Sequence, residues 1–163
     1  MSFGGNLLSS TLPIELTLLS KTLRAYRFFQ NKITGTIPSE VGLLTALERL
    51  ELDSNLLSGS IPTEVANAPF LSHLYLASNR LQGTLPAELS RFLYLQDMTL
   101  QYNTELGGSV PEEWEALVIG RIRELFLTGV DITGTIPAGL CSLDRLQLDC
   151  DTDVCGCTCA PCS

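Results

Sequence analysis

Leu47-Glu-Arg-Leu50-Glu-Leu52-Asp-Ser-Asn55-Leu-Leu57-Ser-Gly59-Ser-Ile61-Pro62 is repeated in pattern from Leu71 and, with one extra residue, from Leu95. The register is carried by Asn31, Gly35 and Pro38, then Asn55, Gly59 and Pro62, then Asn79, Gly83 and Pro86. The first three full units are 24 residues each, 23–46, 47–70 and 71–94, and two units of unequal length follow at 95–121 and 122–145. A unit this short has one apolar face and cannot bury it alone. Neighbours must stack into a continuous core, so the chain is a solenoid of five full repeats.

In Leu71-Ser-His-Leu74-Tyr-Leu76 the leucines alternate with polar or aromatic residues, the period-two pattern of a half-buried strand. One short strand per coil makes a parallel sheet. In the Leu-x-Gly-x-Ile-Pro stretch glycine reaches backbone angles that side chains resist, and proline fixes φ and lacks an N–H, so the chain turns out of the sheet there. Ser39-Glu-Val41-Gly-Leu-Leu44 then carries apolar residues at helical spacing over too short a length for a long helix. That predicts a 3₁₀ or irregular segment on the opposite face. Trp114 follows Pro111 at the spacing where Val41, Val65, Leu89 and Leu140 follow their prolines, which makes it core.

Asn31, Asn55, Asn79 and Asn103 stay polar while pointing inward. An amide both donates and accepts, so stacked copies form a structural ladder that satisfies backbone groups left open by each turn. The next rung is Val130, which cannot make those bonds. Either Thr128 or Asp131 substitutes, or that turn is built differently.

The pattern Leu-x-x-Leu-x-Leu-x-x-Asn-x-Leu-x-Gly-x-Ile-Pro resembles the plant-type, extracellular class of leucine-rich repeats, as in receptor-kinase ectodomains and polygalacturonase-inhibiting proteins, over about nine-tenths of the chain. The resemblance implies an α/β solenoid, a right-handed superhelix with its strands on the concave face and 3₁₀ or irregular segments on the convex one. It implies a noncatalytic module that binds a protein, peptide or polysaccharide, needs no cofactor, is monomeric and works outside the cell or at its surface. The cysteine-rich end resembles those of secreted or surface algal leucine-rich-repeat proteins.

The chain divides into a solenoid, 1–145, opening with a partial repeat at 1–22, and a cysteine-rich cap or tail, 146–163. Asn6-Leu-Leu-Ser-Ser10-Thr-Leu12-Pro13 matches the second half of a repeat with Ser10 in the glycine place. The expectation is of a chain that begins mid-repeat, its leader lying in a missing part. No apolar run approaches the ~18 to 20 residues that span a bilayer. A formal charge of −8 argues against nucleic acid and anionic membranes as partners. Lys21, Arg24, Arg27 and Lys32 sit near the start while acids weight the second half, a gradient that serves either solubility or steering.

All six cysteines, Cys141, Cys150, Cys155, Cys157, Cys159 and Cys162, lie at the end. With Leu143, Leu146 and Leu148 they fit a disulfide-stapled cap over the last coil, which places the chain in an oxidising compartment. Cys155, Cys157 and Cys159 alternate and face one side of an extended segment, which favours links back to Cys141 or Cys150. Two rivals remain: thiolates holding a soft metal such as zinc, for which only one two-residue hook, Cys159–Cys162, is present, and thiols that crosslink copies into a structural matrix.

Side chains alternating with the core leucines face outward in columns ~4.8 Å apart. The central column reads Arg27, Glu51, Tyr75, Thr99 and Phe126, its neighbour Phe29, Asp53, Ala77, Gln101 and Thr128, and the other flank Arg49, His73, Asp97 and Glu124. Mixed charge with exposed Phe29, Tyr75, Tyr102 and Phe126 makes this the expected ligand face. Catalysis is not expected. The one histidine, His73, neighbours Ser72, which alternation sends to the opposite face. Glu51 and Asp53 share a face, yet an open solvated surface offers little to shift a carboxyl pKa. The extra residues near Glu105-Leu106-Gly107-Gly108 and before Ile122 are expected to be loops.

Overall fold

Six short strands stack in parallel, one per coil: β1 (Ala25–Arg27), β2 (Arg49–Glu51), β4 (His73–Tyr75), β6 (Asp97–Thr99), β8 (Glu124–Phe126) and β10 (Arg145–Gln147). The computed structural model describes residues 2–149. Corresponding places pair without slippage, Tyr26 with Leu50, Leu50 with Leu74, Leu74 with Met98 and Met98 with Leu125. This register follows from burial: these five residues are at most 3% exposed, and a one-residue slip would turn them all to solvent. β10 crosses the boundary drawn at 145/146, and Leu143, Leu146 and Leu148 pack half-buried against the end of the core.

Where the sequence suggested only a turn, a second parallel sheet forms, from β3 (Ser58–Gly59), β5 (Arg80–Thr84), β7 (Glu105–Gly108) and β9 (Asp131–Ile132). Its cause is the asparagine. Asn55 Nδ2 donates to Phe28 O and Leu52 O, and its Oδ1 accepts from Ile33 N at 3.0 Å. Asn79 repeats the arrangement on Leu52, Leu76 and Leu57, and Asn103 on Leu76, Leu100 and Leu81. The chain therefore leaves each rung extended, with N–H groups free for the previous coil, as in Ser58 N to Gly35 O at 2.8 Å and Arg80 N to Leu57 O at 2.8 Å.

Every rung reaches back to the preceding coil. Since Val130 supplies no rung, the fourth coil must satisfy itself, and Leu106 N donates to Asn103 O within its own turn. The one-residue insertion at Glu105 is what lets it do so. The fifth turn is locally different, closed by Val130 N to Leu127 O at 3.0 Å and by Gly129 N donating to the Asp149 carboxylate.

The return segments are 3₁₀ turns: Ile14–Leu19, Ser39–Leu43, Thr63–Asn67, Ala87–Arg91, Glu112–Trp114 and Ala138–Ser142, each starting immediately after a proline. The longer fourth unit has room for a five-residue α-helix, α1 (Glu115–Ile119). Trp114 is fully buried and its Nε1 donates to Pro86 O at 3.0 Å. Residues 2–13 add a coil: Phe3 N donates to Arg27 O, Phe3 stacks on Phe28 at 5.0 Å, and Leu8 N donates to Asn31 Oδ1.

Candidate functional site

On the strand face the outward columns form one connected network. Glu51 Oε1 accepts from Arg27 Nε at 3.1 Å and from Arg49 Nε at 2.6 Å. Only 8% of Glu51 is exposed, and the two guanidiniums that flank it offset the cost of burying a carboxylate. Arg49 Nη1 donates to His73 Nε2 at 3.0 Å, and its guanidinium lies 5.9 Å from the Tyr75 ring centre. The Tyr75 hydroxyl donates to Asp97 Oδ2 at 3.1 Å, and burial first, then the charge of Asp97 and this bond, raise the Tyr75 pKa to about 12. The network crosses four coils from Arg27 to Asp97 and fixes these side chains before any ligand arrives.

His73 differs from expectation. Ser72 Oγ lies 2.7 Å from its Nδ1, because β4 begins only at His73 and alternation does not govern the residue before it. Nε2 lies 3.0 Å from Arg49 Nη1 and 3.2 Å from Asp97 Oδ2; in the tautomer where Nε2 accepts from Arg49 the ring proton sits on Nδ1 and goes to Ser72 Oγ, which in turn donates to Glu48 O at 2.9 Å. In that tautomer the hydroxyl receives a proton from the ring and gives its own to the backbone. Burial and then Arg49 lower the His73 pKa, partly offset by Asp97.

The aromatic residues are less available than the sequence suggested. Phe29, Tyr75, Thr99, Gln101 and Phe126 are half-buried, and Tyr102 is exposed. Phe29 lies across Gly4, where an added Cβ would meet its ring at 2.3 Å. Tyr75 sits edge-on to His73 at 5.8 Å, and Arg145 covers Phe126 at 5.7 Å while pairing with Glu124. Nor is the surface uniformly solvated: burial first, and Glu51 second, raise the Asp53 pKa, a backbone hydrogen bond opposing them.

Asp53, Tyr75, Thr99, Gln101, Tyr102 and Glu124 come together around a cavity of about 290 Å³. Arg27, Arg49, His73 and Asp97 lie in the adjoining network. Of the cysteines only Cys141 falls among the described residues, half-buried with Sγ 3.8 Å from Pro137 O. The disulfide expectations for Cys150, Cys155, Cys157, Cys159 and Cys162 lie outside them. Missed altogether was a cavity of about 580 Å³ beside the strand face, lined by Lys21, Arg24, Glu48, Phe70, Ser72 and Tyr94. Phe70 and Tyr94 are each 55% exposed, with rings 6.1 Å apart. The signal was present, since both precede the first leucine of a unit, 24 residues apart.

A leucine-rich-repeat family model matches residues 46–68 and 70–92. No curated protein matches the chain. Among solved structures, the plant peptide hormone receptor RGFR1 in complex with RGF2 is 30% identical with a TM-score of 0.76, over 91% of this chain and 27% of that one. A plant ice-binding protein is 27% identical with a TM-score of 0.80, over 91% of this chain and 47% of that one. The BIR2 ectodomain from Arabidopsis thaliana is 30% identical with a TM-score of 0.63, over 76% of this chain and 67% of that one. The chain thus spans about a quarter of the receptor and about half of the ice-binding protein.

Proposed function

Because the chain belongs to the leucine-rich-repeat family, in its plant-type class, we propose that it is a noncatalytic recognition module binding a protein, peptide or polysaccharide through its strand face. The observation that carries this reading is the network from Arg27 through Glu51, Arg49 and His73 to Asp97 and Tyr75, which holds charged and aromatic groups in fixed positions on an accessible sheet. Side chains already immobilised lose little entropy when a partner docks. The neighbours' own ligands, a peptide hormone in one case and ice in another, differ, so the fold alone leaves the ligand open.

The reading extends to compartment and covalent structure. The receptor neighbours support placement outside the cell or at its surface, where the cysteines from Cys141 onward would pair into a cap over the last coil. Among the described residues no helix is long and apolar enough to cross a membrane.

Tyr75→Ala combined with Thr99→Arg tests the assignment. Both side chains are half-buried on the sheet surface, so the variant should retain its thermal midpoint within a few degrees and lose partner capture from secreted or wall material. Glu51 is unsuited to charge reversal, since a lysine there would set three cations together. Capture that persists in a folded double variant removes the strand face as the binding surface.

A further inference from the structure

Three local anomalies meet at the cavity of about 290 Å³ on the strand face. Oε1 of Gln101 is shielded from solvent and has no hydrogen-bond partner among the described residues, an arrangement that costs stability. Asp53 pairs with no cation among the described residues, and burial has raised its pKa. Tyr102 occupies a left-handed backbone position, φ 60°, where earlier coils place Gln30, Ser54 and Ser78. For a bulky residue that conformation is strained. Gly129 leaves room for it, since a Cβ there would lie 3.2 Å from Tyr102 Cδ1, and the ring stays 59% exposed at the cavity's edge.

Each feature costs the fold something, and all three residues line one space. The cavity's lining carries the carboxylates of Asp53 and Glu124, the latter paired with Arg145, and the electron-rich faces of two tyrosines. Among the described residues no lysine, arginine or histidine lines it. A group that satisfies this set must donate hydrogen bonds, carry positive charge and offer a flat or compact face to an aromatic ring.

We propose that the cavity is a subsite for the basic side chain of a bound peptide, its guanidinium or ammonium paired with Asp53 and covered by the ring of Tyr102. The proposal rests on the strand face being a peptide-binding surface and narrows its ligands to basic ones. Arg27 and Arg49 are held by Glu51 in the neighbouring network, and Arg145 is paired with Glu124 at the cavity's edge, which leaves Asp53 as the carboxylate for the subsite.

The test titrates the full chain with two acetylated, amidated pentapeptides, Gly-Ser-Arg-Ser-Gly and the same peptide with citrulline for arginine, which keeps the shape and removes the charge. Arginine should bind about tenfold more tightly, the equivalent of one charge-assisted hydrogen bond. The preference should vanish in Asp53→Asn and shrink in Tyr102→Gly. Neither change threatens folding, since the first removes a partly desolvated carboxylate and the second relieves a strained backbone. A preference that survives both substitutions overturns the subsite. Equal binding of the two peptides, abolished by Tyr75→Ala, overturns the basic-group assignment and leaves the strand face standing. No binding of either peptide overturns the subsite and the peptide reading together.

Discussion

Asn79 joins two coils through donations to Leu52 O and Leu76 O and acceptance from Leu57 N, all within the core. Removing the amide strands a buried N–H and weakens carbonyl pairing, so Asn79→Ala should lower stability by about 2–4 kcal/mol in urea melts. Asn6, exposed and bonded only to Phe3 O and Gly4 O, is the control, and its alanine variant should change stability by less than about 0.5 kcal/mol. Equal losses in the two would mean that the rungs add nothing beyond their turns. His73 gives a second residue-scale expectation. Its pKa is lowered in the folded chain, so as pH falls through about 6.5 the unfolded chain takes up the proton first and stability declines. The decline ends once pH is below the folded-state value, and His73→Gln should flatten that stretch of the stability curve. The asparagines were legible because their spacing is invariant. The Ser72–His73 contact was not, because it depends on where a three-residue strand begins.

At the scale of the element, the second sheet is the part that sequence reading lost. Its strands carry no alternation of their own, and their pairing is imposed by the turn before them. Gly59 (φ 74°) and Gly83 (φ 86°) measure how tightly coils meet there. A Cβ on Gly59 would lie 2.8 Å from Thr36 Cγ2, whereas one on Gly83 would meet nothing closer than Ser60 Cβ at 3.8 Å. Gly83→Ala should therefore cost only the left-handed backbone penalty, about 1–2 kcal/mol, and Gly59→Ala should cost more. Thr36→Ser, which deletes the offending methyl, should bring the Gly59→Ala loss down to that of Gly83→Ala. If thermal melts find the two glycine variants equal in the parent chain, coil-to-coil packing is not what limits this sheet. The extra residues of the fourth unit, expected as loops, became β7 and α1, because chain inserted into a stacked array is still bounded by coils on both sides.

The whole molecule follows from the period, and its fold was therefore the most legible level, while the character of its face depended on three-dimensional pairing such as Glu51 with two arginines. The same periodicity makes the coil a removable unit. Excising 47–70 joins Ala46 to Leu71 and lets Asn79 reach Ile33 N, so the shortened chain should unfold in a single transition with a smaller urea m-value. Excising one residue fewer should leave it without a cooperative transition. Retained cooperativity in both would show that stacking register is not what the repeat length enforces. The rungs also have a direction: the amide that closes Ile33 belongs to Asn55, 22 residues later, and the one that closes Leu57 belongs to Asn79, again 22 later. On the ribosome the newest coil must therefore wait for sequence not yet translated, and at ~5–20 residues per second that interval lasts seconds. Birth of the protein is thus a one-way ratchet through Leu81, each turn locked by its successor until the self-closing fourth coil, and until then the nascent end presents one turn still open to solvent and to chaperones.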